Sequence, residues 1–366
     1  MKAAIVPLSR LGVVNVQQDF FKVIRETFNL IKMGEECFQL RNSLKVFTNR
    51  FPEGHIYSAG DLLLKTTDEN LHNLEQSGCI IHHIESLPEE GNMVSLRWPG
   101  KIALYAGLNS VAFCSEPFPP LFQLLGLEFT EVNDDEIRDG GLDHFECLIV
   151  PGGPDAGESY YEGFGDRGLE AIKTFVRSGG YYIGVCAGAY LPLLRPPGLD
   201  LPVSLEIVEV WDSSGLDYWR TGAGFVRLRF KKEIHPVVYG LALNDPSTLD
   251  MVYWEGPVFE CKSGVKVIAT FDSFLAGGMD KPSWDVSCNQ KAVDAIEWYN
   301  PLTPARFDKY MKDKPAIIEA SYGDGTLLLF SPHPEFGTPG IAEKWENSMT
   351  FRFYVNAFHY LFSQQS

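Results

Sequence analysis

Gly184-Val185-Cys186-Ala187-Gly188 and His333-Pro334-Glu335 are the residues of this chain whose types and spacing could do chemistry together. A cysteine attacks carbonyl carbon when a base holds its proton and a third group orients that base. Gly184 and Gly188 flank Cys186 on both sides, the pattern of a sharp strand-to-helix turn that must clear an incoming substrate. At a helix start, unpaired N–H groups and the helix dipole favour thiolate over thiol. The commoner fate of a free cysteine is burial as a small apolar residue. Strand, glycine pair and following helix together favour the nucleophile. His333 offers the base, and Glu335 reaches its imidazole if the loop curls back; Pro332 and Pro334 restrict the backbone around it. A lone histidine beside a core strand is usually structural, but His-Pro-Glu after a strand, in a chain with the cysteine turn, fits a triad better. An oxyanion hole needs backbone donors. Ala187, first in the helix, offers one N–H, and Gly153 in Val150-Pro151-Gly152-Gly153 offers another. On its own, Pro-Gly-Gly reads as a tight turn.

These residues must be held by a scaffold, and the hydrophobic pattern says which. Ile102–Tyr105, Phe129–Val132, Cys147–Val150 and Tyr181–Val185 are short apolar runs that read as strands. Helical stretches alternate with them: Leu121–Leu125, then Leu169–Val176 closed by Gly179-Gly180. Alternation of this kind means a parallel sheet covered on both faces, with sites at the carboxyl ends of strands. Gly153 and Cys186 both fall at such ends. After Tyr190 the pattern turns to β, with strands expected at 205–210, 224–230, 251–254, 265–271 and 317–320 and a hairpin at Asp324-Gly325. Gly340–Phe362 reads as a long helix. Residues 276–314 read as an irregular insertion able to cover the site.

Residues 1–98 read as a small α/β extension or mixed domain, and 99–366 as the main domain. In the extension, Phe20, Ile24, Phe28 and Ile31 mark a helix face, Lys45–Phe47 and Ile80-Ile81 read as strands, and Leu62-Leu63-Leu64 suggests a helical piece. His82-His83 is a poor metal pair, because neighbours on a strand point to opposite sides. Gly163-Phe164-Gly165-Asp166-Arg167-Gly168 has dinucleotide-loop spacing but does not directly follow a strand, so no such cofactor is expected. No histidine, cysteine and carboxylate cluster has metal spacing in the sequence. Asp134-Asp135-Glu136 reads as a helix cap.

Composition limits the partners. Lys and Arg number 31 against 48 Asp and Glu, a net charge of −17, which repels phosphate backbones and anionic membrane surfaces alike. The substrate is therefore expected to be a small molecule, joined by a protein partner if a product acceptor exists. Seven scattered cysteines without a Cys-x-x-Cys pair fit reduced thiols in the cytoplasm. No apolar run approaches the roughly 18 residues of a membrane-spanning helix.

On these residues, the chain resembles the class I glutamine amidotransferase-like superfamily. It is most similar to the amidotransferase-like N-terminal domain of biotin–protein ligases, through Cys186-Ala187-Gly188-Ala189-Tyr190 and Tyr253-Trp254-Glu255-Gly256-Pro257-Val258-Phe259. The resemblance covers about residues 101–362. It implies a three-layer α/β/α sandwich with a mostly parallel sheet and a Cys186–His333–Glu335 triad. Glutaminases of this superfamily release ammonia from glutamine through a thioester. Their usual glutamine four residues after the cysteine is Tyr190 here, which leaves another amide or a thioester as substrate. Asp155, Tyr190 and Glu255 are pocket-lining candidates. The alternatives are a binding or regulatory module that kept the fold and lost the reaction, without ligase activity, and a thiol-based redox protein.

Overall fold

Apolar runs of four or five residues dictate the framework. The computed structural model describes residues 1–8, 20–110, 112–154, 157–195, 204–213, 221–231, 235–241, 247–277, 300–336 and 349–363. Among the described residues of the first 95, seven strands are found: β1 (Lys2–Val6), β2 (Glu36–Leu40), β3 (Leu44–Val46), β4 (His55–Tyr57), β5 (Leu62–Thr66), β6 (His82–Ile84) and β7 (Met93–Ser95). Five form an antiparallel sheet in the order β6-β1-β5-β2-β7, and β3 pairs with β4 as a separate hairpin. Leu62–Leu64 is thus a central strand, not a helical piece. All three leucines are buried because the sheet is covered on both faces, and such a run lacks the alternation that betrays a half-exposed strand. The strand expected at Ile80-Ile81 lies two residues later. There His82 is buried with its Nδ1 2.6 Å from the Tyr57 hydroxyl, while His83 faces Glu75.

Helix α1 (Phe20–Lys32) covers one face of this sheet with Phe21, Ile24 and Phe28, and α2 (Asp68–Gln76) follows β5, capped by the Thr67 hydroxyl. These α1 side chains belong to a core shared with the larger sheet. Phe28 meets the indole of Trp98 and the ring of His359 edge-on, with centroids 5.7 and 5.4 Å apart.

The larger sheet has nine strands: β8 (Ile102–Tyr105), β9 (Phe129–Val132), β10 (Cys147–Val150), β11 (Tyr181–Val185), β13 (Ala223–Phe230), β14 (Thr248–Trp254), β16 (Lys266–Gly277), β17 (Pro315–Tyr322) and β18 (Gly325–Phe330), in the order β14-β13-β16-β17-β18-β11-β10-β8-β9. From β18 to β9 every pairing is parallel; from β14 to β18 every pairing is antiparallel. A small ribbon of β12 (Val210–Asp212) and β15 (Phe259–Cys261) lies apart. Of the strand expected at 205–210, only Val210 is in one. The β17–β18 hairpin turns at Gly323-Asp324, with Tyr322 opposite Gly325.

Alternate residues of the parallel strands feed two cores. Ile102, Leu104, Ile149, Ile183 and Val185 pack against helix α4 (Phe118–Leu125), which follows the short α3 (Ala112–Ser115), and against the last helix, Arg352–Ser363. Tyr105, Leu148, Val150 and Tyr182 pack against α6 (Glu158–Arg177), with α5 (Asp134–Arg138) beside it. Residues 134–136 open α5 under a capping box made by Asn133 and Glu136. The three-layer α/β/α arrangement is therefore direct. The insertion expected at 276–314 is not irregular throughout: β16 runs to Gly277, Thr303 caps a helix at Pro304–Tyr310, and 278–299 lies outside the described residues. Likewise, the long helix expected from Gly340 is described from Arg352, 337–348 lying outside.

Glu319 on β17 is buried, and it accepts from Lys266 Nζ at 2.6 Å and pairs with His235 Nε2 at 2.8 Å. Burial alone would raise its pKa, but hydrogen bonds from His235, Lys266 and Tyr360 outweigh it and hold the carboxyl at about 2. A depressed carboxyl adds stability above its unfolded pKa and loses it as pH falls towards the folded one. Unfolding free energy should therefore drop between about pH 4.5 and 2, by on the order of 3 kcal/mol from this group. Denaturant titrations across that range should show a clearly smaller drop for Glu319→Gln.

Candidate active site

Strand β11 ends at Val185, and the chain reverses direction at Cys186 to enter the short helix α7 (Ala187–Tyr190). Cys186 has φ 51° and ψ −111°, a conformation that costs a non-glycine residue about 1–3 kcal/mol. Packing holds it there. A Cβ at Gly184 would run into the carbonyl of Gly188, and a Cβ at Gly188 into the carbonyl of Val150 on the neighbouring strand. The Tyr182 hydroxyl donates to the Gly188 carbonyl at 2.7 Å, and the Cys186 N–H donates to the Phe330 carbonyl at 2.9 Å. That last bond continues the β11–β18 register, in which Val185 faces Phe330, so the residues leaving β18 emerge beside the cysteine.

His333 is one of those residues. Its N–H donates to the Val252 carbonyl of β14 at 2.9 Å, which ties the loop after β18 to the far, antiparallel side of the sheet. Its ring lies flat on Phe336, with centroids 4.5 Å apart, and is buried. Nδ1 is 2.7 Å from Glu335 Oε1, the curled-back contact expected from the sequence. Nε2 is buried and makes no aligned hydrogen bond. Burial lowers the proton affinity of this ring, but the Glu335 carboxylate and the Cys186 sulfur outweigh burial and push its pKa up to about 10. Cys186 bears on the imidazole through its charge and through a contact looser than an ordinary aligned hydrogen bond. The thiol itself donates to the Trp254 carbonyl at 3.1 Å.

The remaining candidates take distinct places. Ala187 is the first residue of α7, where an N–H has no intrahelical acceptor. Gly153 abuts Asn109, whose carbonyl a Cβ would meet, whereas Gly152 turns towards the site: a Cβ there would stand 3.1 Å from His333 Cε1 and 2.8 Å from Cys114 Sγ. Tyr190 donates its hydroxyl to the Glu255 carbonyl at 3.1 Å. Glu255 follows Trp254 with φ 51°, and its buried carboxylate accepts from Asn300, which is held in turn by Arg306. Tyr190 and Glu255 thus fix the segment over the cysteine. Asp155 lies outside the described residues.

Three groups at the site carried no signal in the sequence. Cys114 is there one of seven scattered cysteines, Tyr354 one residue of the helix expected over 340–362, and the Trp254 carbonyl plain backbone. Cys114, His333 and Glu335 each place one ligand-type atom within 4.8 Å of the others, and all three are buried. Nitrogen and oxygen ligands on a tetrahedral zinc lie roughly 3.3 Å apart, from bonds near 2.0–2.1 Å. The 2.7 Å His333–Glu335 contact is closer than that, so Nδ1 and Oε1 are engaged with each other as a hydrogen-bonded pair.

Comparison with known proteins adds the following. Residues 135–195 match the family described as biotin-protein ligase, N terminal. The match takes in Val150–Gly153 and Cys186–Tyr190, and it ends before His333 and Glu335. The sequence matches no curated protein. Among solved structures, the chain is similar to a glutamine amidotransferase, with 17% identity over 71% of this chain and 97% of that one and a TM-score of 0.42. It is also similar to a glutamine amidotransferase from Thermotoga maritima, with 11% identity over 65% and 77% and a TM-score of 0.38. A third is a putative thua-like protein from Bacteroides uniformis, with 12% identity over 72% and 91% and a TM-score of 0.40. Likeness at this level adds nothing to the architecture read from the strand order itself. Among the described residues, no helix is long and apolar enough to cross a membrane.

Because the Val150 carbonyl cannot retreat from a strand in mid-sheet, Gly188→Ala should cost roughly 1–3 kcal/mol as overpacking does. The midpoint of denaturant unfolding measures this, and an unchanged midpoint would mean that the turn is not constrained as described.

Proposed function

We propose that the protein is a cysteine-dependent amide hydrolase or amidotransferase-like enzyme acting on a small amide or thioester. The observation that carries this reading is the strained backbone of Cys186 at the start of a helix, set beside a buried imidazole hydrogen-bonded to Glu335. In this reading the Cys186 thiol gives its proton to His333 as the sulfur attacks the carbonyl carbon, His333 passes that proton to the leaving nitrogen or sulfur, and water (or an acceptor) then releases the acyl group from Cys186. Glu335 holds the ring through Nδ1. The N–H groups of Ala187 and Gly153 receive the developing oxyanion. Tyr190, which bonds to the Glu255 carbonyl where a glutaminase has glutamine, favours a substrate other than glutamine. A protein acceptor enters only if the released product is handed on. Six free cysteines among the described residues fit a reducing, cytoplasmic setting.

A second reading is a binding or regulatory module of the biotin–protein ligase N-terminal type, without ligase activity. It is favoured by one observation: the thiol bonds to the Trp254 carbonyl while His333 Nε2 has no aligned partner. Working pairs approach about 3 Å and loosen without substrate, so the two readings part on reactivity.

The test is the rate of Cys186 alkylation by iodoacetamide, followed by peptide mass spectrometry in the full chain. His333→Ala should slow it at least about tenfold at pH 7, within the range a positioned acid–base group contributes. Equal rates for parent and variant would leave the binding module as the reading. Electrophilic amide mimics, a glutamine analogue among them, should label the parent and not Cys186→Ala, and the preferred mimic identifies the substrate class.

A further inference from the structure

We infer that Tyr354, on the last helix, is a positioning residue for the Cys186–His333–Glu335 arrangement, acting by fixing the orientation of the Glu335 carboxylate. The inference rests on the enzyme reading above. Glu335 is fully buried and has two oxygens to place. Oε1 meets His333 Nδ1 at 2.7 Å, and Oε2 accepts from the Tyr354 hydroxyl at 2.9 Å. A carboxylate turns readily about its last bond, since such terminal torsions are broad. With Oε2 pinned, Oε1 stays directed at Nδ1. The Nδ1 proton is then held towards Glu335, and Nε2 is the nitrogen left for chemistry.

The helix is built to hold this hydroxyl in place. The Tyr354 ring is fully buried, edge-on to Phe118 at 5.1 Å and tilted against Phe330 at 6.2 Å. One turn earlier, Thr350 Oγ1 donates to the Pro334 carbonyl at 2.6 Å, so a second bond grips the same loop. Burial and the Glu335 charge push the Tyr354 phenol well above its ordinary pKa, so it remains a donor across the working pH range. Arg352 and Asn356 anchor the helix itself, to the Leu8 carbonyl and to the carbonyls of Val237 and Tyr239.

Without that donor the carboxylate is free to turn from Nδ1, and the imidazole loses part of what keeps it protonated beside the sulfur. The experiment is the pH dependence of Cys186 alkylation in the full chain. Tyr354→Phe should slow the reaction by about tenfold at pH 7, the scale of losing a buried positioning bond, and should move the acid limb of the profile to higher pH. Incorporating 3,5-difluorotyrosine at position 354 keeps the ring packing and strengthens the donor, so it should move the limb to lower pH. This second protein decides the matter where the Phe variant does not fold. A limb that stays in place in the difluorotyrosine protein overturns the inference, as does a Phe variant with a lowered melting temperature and the parent's profile. If His333→Ala leaves the parent's rate unchanged, the triad reading fails. If it slows the reaction while both changes at 354 leave the profile in place, only the role of Tyr354 fails.

Discussion

A polypeptide can turn at Cys186 only because hydrogen atoms stand where side chains would be at Gly184 and Gly188. The carbonyls of Gly188 and Val150 occupy the space a Cβ would need. With that clearance the sheet can run parallel up to Val185, reverse within one strained residue and release the sulfur at its edge. The strain is offset by ordinary bonds around it: the Tyr182 hydroxyl to Gly188, and the Cys186 N–H to β18. Every later feature of the site uses the position this turn creates.

The sheet changes character at β18, where its parallel half meets its antiparallel half. The cysteine comes from the last crossover of the parallel half. The imidazole comes from the loop after the shared strand. The Trp254–Glu255 segment that covers the thiol comes from β14, the edge strand of the antiparallel half. His333 joins the two through its N–H to Val252. The site thus lies where two kinds of pairing meet, in the place where open α/β sheets leave a crevice at their strand ends.

Much of this was legible in the sequence. Strand, glycine and helix signals placed Cys186, and the two-residue spacing of His333 and Glu335 allowed the 2.7 Å contact that is found. The parallel strands appeared as apolar runs because both of their faces are buried. The same property misled at Leu62–Leu64, where a fully buried strand and a helix fragment share one pattern. Residues 205–209 alternate like a strand but bond to the Leu191 and Pro192 carbonyls and to the Lys262 N–H without entering a strand, since alternation reports burial and not ladder pairing. Contacts between distant elements were out of reach. Tyr354 is one aromatic residue in an apolar helix, and nothing local marks its hydroxyl as a partner of Glu335. The Trp254 carbonyl has no identity in a sequence at all.

The bond between Arg352 and the Leu8 carbonyl joins residues 344 positions apart. Closing so long a loop carries an entropy cost that local structure cannot meet in advance. During synthesis, the parallel strands and the cysteine turn leave the ribosome well before the segment carrying Thr350 and Tyr354. Until that segment arrives, Glu335 has neither its second hydrogen bond nor the cover of the last helix. A nascent chain therefore carries Cys186, His333 and Glu335 for some time before the last helix completes their surroundings, which belong to the topology and not to the motif.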